Sequence, residues 1–171
     1  MPARKWGEVG FEMKFSTRED IEAKIAVVFA ECSDVARFER QARRRGVSVK
    51  RLDRLPDFGP GMRWAIQFPY RGKDRKLQAD ISQVVECEEI RMTANSGGLD
   101  AWLDVSLLAL SQNRTRLKIG LELKPRSLQA RLLVQSLKFA KGNLDRKFHE
   151  RVANFARDIE LRHNPSRALG L

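Results

Sequence analysis

The residue types that most often carry catalysis or bind metals are few in this chain and far apart. There are two cysteines, Cys32 and Cys87, and two histidines, His149 and His163. A structural zinc site usually needs paired ligands a few residues apart, and these four residues form no such pair. The sequence therefore predicts no metal site and no cofactor, and it favours reduced thiols over a disulfide.

Glu19 and Tyr70 are the remaining candidates for proton transfer. Together with Thr17, Gln83 and Ser96, they continue the parity of apolar neighbours in predicted strands, so we expect them to point inward. A buried carboxylate needs a partner, a raised pKa or water. One interpretation makes Glu19 a general base and Tyr70 an acid, and the other leaves Glu19 solvated at a strand end or beyond a bulge. Because no spacing supports the first interpretation, no catalytic residue is assigned.

The composition is that of a basic globular domain. Of 171 residues, 42% are hydrophobic and 32% are charged, and the formal net charge is +11. This composition excludes general disorder, and no apolar run approaches the length of a membrane-spanning helix. The first residues show no export signal, so we expect one soluble, cytoplasmic domain.

The excess positive charge lies in two segments. Residues 33–55 contain eight basic and three acidic residues, and residues 126–171 contain ten basic and four acidic residues. The basic side chains of the second segment have three interpretations: contact with nucleic acid, contact with an anionic membrane surface, or solvation. They include Arg131, Lys138, Lys141, Arg146, Lys147, Arg151, Arg157 and Arg162. Nucleic acid is disfavoured because no binding module is recognisable.

Hydrophobic periodicity predicts an α+β fold. A strand beginning near Met13 is followed by two short helical patterns, the second capped by Asp34 and ended by Gly46. The period then changes from about 3.6 to 2 as far as Pro125, and turn signals divide this region into six strands. An antiparallel sheet of seven strands with one apolar face is the result.

A long helical pattern follows from Leu128, and Ser127 is its predicted cap. A straight helix of about 36 residues would be on the order of 50 Å long, so we expect a break, most simply at Gly142. Only this element is long enough to cover the apolar face of the sheet. If the sheet curves around the helix, space can remain between them as a cavity.

This order of elements resembles the START-related, polyketide cyclase-like (SRPBCC) superfamily, which has the helix-grip fold. The resemblance rests on STREDIEAKIAVVFAECSD with the following FER, the GPGMRW loop, the SGGLDAWLDVSL hairpin, the TRLKIGLEL strand and the terminal helix. Lys24 departs from the proline that many members place before the first short helix. The superfamily includes lipid-transfer domains, polyketide cyclases, coenzyme Q-binding proteins and pollen allergens, so the resemblance is specific for fold and not for function.

The resemblance implies a curved seven-stranded antiparallel sheet wrapped around a long C-terminal helix, with two short helices after the first strand. Residues 13–163 would form this domain, with an N-terminal extension at 1–12 and a flexible tail at 164–171. A hydrophobic small molecule or lipid is the predicted ligand, a cyclase or dehydratase using the same cavity is the alternative, and a filled core is the simplest interpretation of each apolar position. The predicted lining residues are Thr17, Glu19, Met62, Trp64, Phe68, Tyr70, Leu77, Ile81, Met92, Leu103, Val105, Leu117, Ile119, Leu133, Leu137 and Leu144.

Overall fold

A computed structural model describes residues 11–168, and within them the chain forms seven strands and five helices. The strands are β1 (Met13–Ile21), β2 (Ser48–Arg51), β3 (Arg63–Tyr70), β4 (Lys73–Val85), β5 (Glu89–Ser96), β6 (Leu99–Ser111) and β7 (Arg114–Pro125). The helices are α1 (Ile25–Cys32), α2 (Val35–Arg44), α3 (Leu128–Phe139), α4 (Lys141–His163) and α5 (Pro165–Ala168). Residues 1–10, most of the expected N-terminal extension, lie outside the described residues. The segment expected to be a flexible tail contains α5.

All strand pairs are antiparallel, and the sheet order is β1-β7-β6-β5-β4-β3-β2. Successive side chains in a strand point to opposite faces, so the alternating sequence gives the sheet an apolar inner face and a charged outer face. The inner face carries buried Phe15, Trp64 and Leu117. The outer face carries ion pairs such as Arg91 with Asp104. This is the predicted helix-grip architecture, with the sheet curved around the C-terminal helical segment.

The apolar core is divided into three clusters at different parts of the inner face. The first joins α1 and the C-terminal half of α4 to the sheet around Ile159 and Leu117. The second joins α3 to β1 around Val134 and Phe15, and the third surrounds Trp64 on β3. Phe148 packs against both the first and the second cluster, and Phe58 packs against both the first and the third, so the clusters are joined by half-buried aromatic rings.

The predicted helix caps are confirmed, whereas the predicted break is two residues out of place. Asp34 accepts a hydrogen bond from the backbone N–H of Arg37 (3.1 Å), and Ser127 accepts one from that of Ala130 (3.1 Å). The long helix breaks at Ala140, between α3 and α4, and Gly142 lies in the first turn of α4. A glycine weakens a helix without having to end it, so the prediction based on Gly142 gave the position of the break only approximately.

Glu31 joins three helices at one end of the domain. Glu31 lies in the last turn of α1, and its carboxylate accepts hydrogen bonds from Arg37 of α2, from Arg162 (Nη2–Oε2 2.7 Å) and from His163 (Nε2–Oε1 2.9 Å) of α4. Burial raises the pKa of Glu31, but the hydrogen bonds from His163 and Arg162 and the charges of Arg162 and Arg37 outweigh burial and lower it overall. The ionised carboxylate therefore stabilises the folded state.

Replacing Glu31 by glutamine is expected to lower the free energy of unfolding by about 1–3 kcal/mol at neutral pH, because three donors lose a charged acceptor. A carboxyl group whose pKa is lower in the folded than in the unfolded chain stabilises the folded protein at pH values above its unfolded pKa. This stabilisation is lost as the pH falls through the folded pKa. Urea unfolding across a pH series should therefore show the two proteins converging below about pH 4. Glu150→Gln is the matched control, because that exposed carboxylate lies 3.9 Å from Arg146. A constant difference at all pH values would contradict this account.

Candidate ligand site

A row of three alanines crosses the middle of the inner face. The strand register places Ala79 of β4 opposite Ala94 of β5, and Ala94 opposite Ala101 of β6. In the next row, Met92 and Leu103 lie opposite each other. Three methyl side chains on adjacent strands fill much less volume than leucines or phenylalanines would, so the side-chain layer of the inner face is thin at this row, which we call the hollow.

The apolar residues around this hollow remain partly exposed although they lie on the inner face of the sheet. Leu103 belongs to the interior strand β6 and is flanked by Met92 and Leu121, yet it is only half-buried. Leu77, Leu103 and Leu133 belong to none of the three clusters in the described part of the chain. These three leucines are therefore covered less completely than the residues of the clusters.

The structure divides the predicted lining residues into two groups. Thr17, Met62, Trp64, Ile81, Val105 and Leu117 are buried. Glu19, Phe68, Tyr70, Leu77, Met92, Leu103, Ile119, Leu133, Leu137 and Leu144 are half-buried. Leu117 is fully buried in the first core cluster, where it packs as an ordinary core residue. Four of the half-buried residues, Met92, Ile119, Leu137 and Leu144, pack against the core clusters.

The helical layer contributes three half-buried leucines from both sides of the break. Leu133 and Leu137 belong to α3, and Leu144 belongs to α4. Leu137 and Leu144 pack against the cluster of Met13 and Phe15, whereas Leu133 packs against none of the three clusters within the described residues. The break lets α3 lie against β7 while α4 follows β1.

Glu19 and Tyr70 do not form an acid–base pair. Glu19 lies opposite Leu117 near the end of β1, and Tyr70 lies opposite Lys73 at the end of β3. Four strands separate β1 from β3 in the sheet, and the register places the two residues at opposite corners of the inner face. The pair therefore gives no support to the enzyme interpretation.

The expectation that Gln83 points inward is wrong. A β-bulge shifts the β4–β5 register between Ile81 and Gln83, so that Gln83 pairs with outward-facing Arg91. Val84 then takes the inward position, opposite buried Ile90. A bulge inserts one residue and reverses the parity of everything after it, which uniform alternation along the strand does not reveal.

The turn between β3 and β4 reaches across to the helical layer. Arg71 in this turn donates a hydrogen bond to Ser136 Oγ of α3 (Nη1–Oγ 2.9 Å), and its guanidinium stacks over the ring of Tyr70. Arg71 has a φ of 49°, in the left-handed region, and precedes Gly72 with a φ of 72°. A two-residue turn of this kind gives a tight hairpin, which here borders one end of the space below α3.

Two inward features were not recognised as site residues from the sequence. One is the alanine row, because single alanines look like ordinary core positions until the register aligns them. The other is Arg75, which lies opposite Phe68 and shares the inner face with Leu77. The period of two in β4, extended two residues before Leu77, would have identified it.

Other chemistry is limited in the described residues. Burial, with a smaller contribution from the charge of Glu31, raises the pKa of the Cys32 thiol to about 12, so it is not a nucleophile at neutral pH. No three His, Cys, Asp or Glu side chains in residues 11–168 are grouped to hold a metal ion. None of the described helices has the length and apolar character needed to cross a bilayer.

The outer face has a shallow depression of about 400 Å³ beside Trp102. Besides Trp102, it is lined by Gln78, Asp80, Thr93, Asn95 and Asp100, and by Ala94 and Ala101 of the alanine row. Several of these polar groups already have partners: Asp100 accepts hydrogen bonds from Arg126 and Asn95, and Asp80 accepts one from Arg63. This polar surface does not match the apolar ligand that the sequence predicts.

Comparison of the sequence with known families and with curated proteins finds no match. Comparison of the structure finds many. The Zhui aromatase/cyclase from Streptomyces sp. R1128 superposes with a TM-score of 0.64 at 11% identity, covering 90% of this chain and 96% of that one. A norcoclaurine synthase mutant from Thalictrum flavum, in complex with a transition-state analogue, superposes at 0.62 and 10% identity over 89% and 96% of the two chains.

A third similar structure, Ara h 8.0201, has a TM-score of 0.55 at 12% identity and covers 94% of this chain and 99% of that one. A START superfamily protein from Mycobacterium smegmatis is also similar. These comparisons confirm the resemblance to the SRPBCC/START-like proteins in fold. The same fold serves proteins named as enzymes, so it does not by itself assign a function here.

Proposed function

We propose that this protein binds a hydrophobic small molecule or lipid between the inner face of its sheet and the helices α3 and α4, and that it does so in the cytoplasm. One observation carries the proposal: apolar residues of the inner face near the alanine row of Ala79, Ala94 and Ala101, namely Leu77 and Leu103, stay partly exposed although they face the helices. A concave, mostly apolar space with few polar groups is the usual form of a small-molecule site.

Two further features support this proposal over a filled core. Leu77 and Leu103 are half-buried and lie two residues along their strands from Ala79 and Ala101, so an apolar molecule bound over the alanine row would remove their remaining exposed area from water. Each square ångström of apolar surface so buried contributes about 25 cal/mol to binding. The similar structures include aromatase/cyclase and norcoclaurine synthase, so catalysis in the same space is the alternative; the separation of Glu19 from Tyr70 favours binding.

The proposal is tested by filling the hollow. Ala94→Phe places a ring in the middle of the alanine row, and it is expected to weaken binding of the neutral dye Nile red by about tenfold or more while changing the free energy of unfolding by less than about 1 kcal/mol. The matched control is Ala65→Phe on the outer face of β3, opposite Gln78. Binding is followed by dye fluorescence and stability by urea unfolding.

An Ala94→Phe protein that binds Nile red like the parent would contradict the proposed site. A loss of stability above about 1 kcal/mol would show instead that the row is already packed, because overpacking a filled core typically costs about 1–3 kcal/mol. Native mass spectrometry of the freshly purified protein supplies an independent readout. The mass of a co-purified apolar molecule would support a carrier function. If no such mass is found and the parent protein still binds Nile red, the site binds its ligand weakly and exchanges it during purification.

A second function, docking to an anionic membrane, is favoured by the surface of α3. Leu128, Leu132 and Phe139 are 74%, 60% and 95% exposed, and their spacing places them along one side of the helix. Arg131 and Lys138, both exposed, lie on the same helix. Apolar residues beside basic ones are typical of helices that bind negatively charged lipid surfaces.

Vesicle binding tests this second function. Sedimentation with phosphatidylglycerol-containing vesicles is expected to recover the protein, with weaker recovery on neutral phosphatidylcholine vesicles and at high salt. The double variant with Leu132→Ser and Phe139→Ser should lose about tenfold or more of this binding. Leu108→Ser is the control, because Leu108 is 58% exposed but lies on β6. Equal binding of the double variant and the parent would rule out α3 as the docking face.

A further inference from the structure

Arg75, the third residue of β4, is a strongly basic residue that the register places on the inner face of the sheet. It lies opposite Phe68, and the alternation along β4 continues through Leu77, Ala79 and Ile81 on the same face. Ala79 and Ile81 are buried, which shows that this is the face turned toward the helices. A guanidinium group therefore extends from the apolar face at the hairpin end of β4, and Leu77 separates it from Ala79 of the alanine row.

The Arg75 side chain has an unsatisfied donor. Its Nε atom is buried and has no hydrogen-bond partner, and it is the one buried side-chain nitrogen or oxygen in the described residues with this property. Outward-facing arginines are paired: Arg63 with Asp80, Arg91 with Asp104 and Arg116 with Asp20. Leaving a donor of a charged group unpaired away from water is costly, so such a group calls for an acceptor that the chain itself does not supply.

The surroundings of Arg75 limit what that acceptor is. The hairpin turn that precedes it is held against α3 by the hydrogen bond between Arg71 and Ser136. Phe68 and Leu77 adjoin it on the sheet, and both are half-buried. A molecule that satisfies Arg75 would thus have its charged end at the hairpin side and its apolar part over the alanine row.

We propose that Arg75 binds the acid group of the ligand, and that the ligand is an amphipathic acid: an apolar chain or ring system that carries one carboxylate. This inference rests on the proposed function and assigns the chemical class of its ligand. A guanidinium presents two parallel N–H groups to the two oxygens of a carboxylate, which gives a strong and directional pair in a water-poor site. A phosphate monoester presents the same geometry, so the test includes both acids.

The test compares one apolar chain in charged and neutral forms. The parent protein is titrated with the fluorescent fatty acid cis-parinaric acid and with its methyl ester at neutral pH. We expect the acid to bind about 10- to 100-fold more tightly than the ester, the range of a charge-assisted hydrogen bond. In Arg75→Met this preference should disappear, because affinity for the acid falls while affinity for the ester is kept. Displacement of the bound probe by hexadecanoic acid and by hexadecyl phosphate shows which acid loses more affinity in the variant.

Lys76→Met is the matched control. It removes the same charge from the neighbouring residue, which alternates to the exposed outer face, and it should leave both affinities unchanged. Stability separates a binding role from a structural one. Since Arg75 Nε has no partner to lose, Arg75→Met should unfold at the same or a higher urea concentration than the parent. A clear loss of stability would assign Arg75 to the folded structure and overturn the proposal.

Failure of this inference can be told apart from failure of the proposed function. If the parent binds acid and ester equally well, or if Arg75→Met keeps the preference for the acid, the ligand site stands and the role of Arg75 is wrong. If the parent binds neither acid nor ester nor Nile red, the site itself is absent and both proposals fall. A larger loss for hexadecyl phosphate than for hexadecanoic acid would overturn the choice of a carboxylate.

Discussion

Replacing Ile159 by alanine is expected to lower the free energy of unfolding by about 2–5 kcal/mol. Ile159 is fully buried on α4 and packs in the first core cluster with residues such as Ile21, Val28 and Leu117. Truncating it leaves a void at the point where three elements meet, and neighbours held by the sheet cannot collapse into it. Urea unfolding monitored by far-ultraviolet circular dichroism measures the change.

The stability loss of Leu103→Ala is compared with that of Ile159→Ala. The chemistry is close to that of Ile159→Ala, but Leu103 is half-buried beside the alanine row, and its truncation is expected to cost only about 1 kcal/mol. The difference between the two variants reports directly on the openness of the centre of the sheet. If both cost the same, the interior is packed throughout and the ligand site proposed here does not exist.

Replacing Gly98 by alanine is expected to destabilise the protein by about 2–4 kcal/mol. Gly98 lies in the turn between β5 and β6 with a φ of 82°, a left-handed conformation that is strained for alanine. A Cβ atom at this position would also lie 2.5 Å from Oγ and 2.8 Å from Cβ of Ser127, so Ser127 would have to move. Ser127 caps α3 through its hydrogen bond to the N–H of Ala130, and that cap would be disturbed.

Gly97→Ala separates the two contributions. Gly97 has a φ of 54° in the same turn, but a Cβ atom there would meet nothing within 4 Å. Its replacement should cost only about 1–2 kcal/mol, the strain of the left-handed conformation alone. Urea unfolding of both variants measures the difference, which is the effect of the clash with Ser127. Equal destabilisation would mean that the turn does not determine the position of the N-terminus of α3.

The contact between Gly98 and Ser127 also bears on the ligand space. Arg126 donates its backbone N–H to the carbonyl oxygen of Gly98, so the β5–β6 turn holds the start of α3 at two neighbouring residues. On the other side, Arg71 of the β3–β4 turn holds Ser136 of α3. Two hairpin turns thus position the helix that covers the alanine row, and loosening either turn is expected to affect ligand binding as well as stability.

Much of the fold could be predicted from the sequence because local patterns carry it. The alternation from Thr115 to Leu123 predicted β7, the capping residues Asp34 and Ser127 predicted two helix starts, and the switch of period predicted the order of elements. These features depend on the chemistry of residues a few positions apart along the chain, where neighbours in sequence are also neighbours in space. The resemblance in fold that followed from them is the part that structural comparison confirms.

The ligand site depended on the tertiary structure because it is formed by residues far apart in the chain. Ala79, Ala94 and Ala101 each look like ordinary core positions in the sequence. Only the pairing of three strands places them side by side in one row. The bulge after Ile81 turned Gln83 outward, which periodicity could not show. The unpartnered Nε of Arg75 is likewise a property of its surroundings. Strand register and packing are set by the whole fold, so the sequence determined which side chains could face inward, and the tertiary structure decided what space and which unsatisfied donor they leave there.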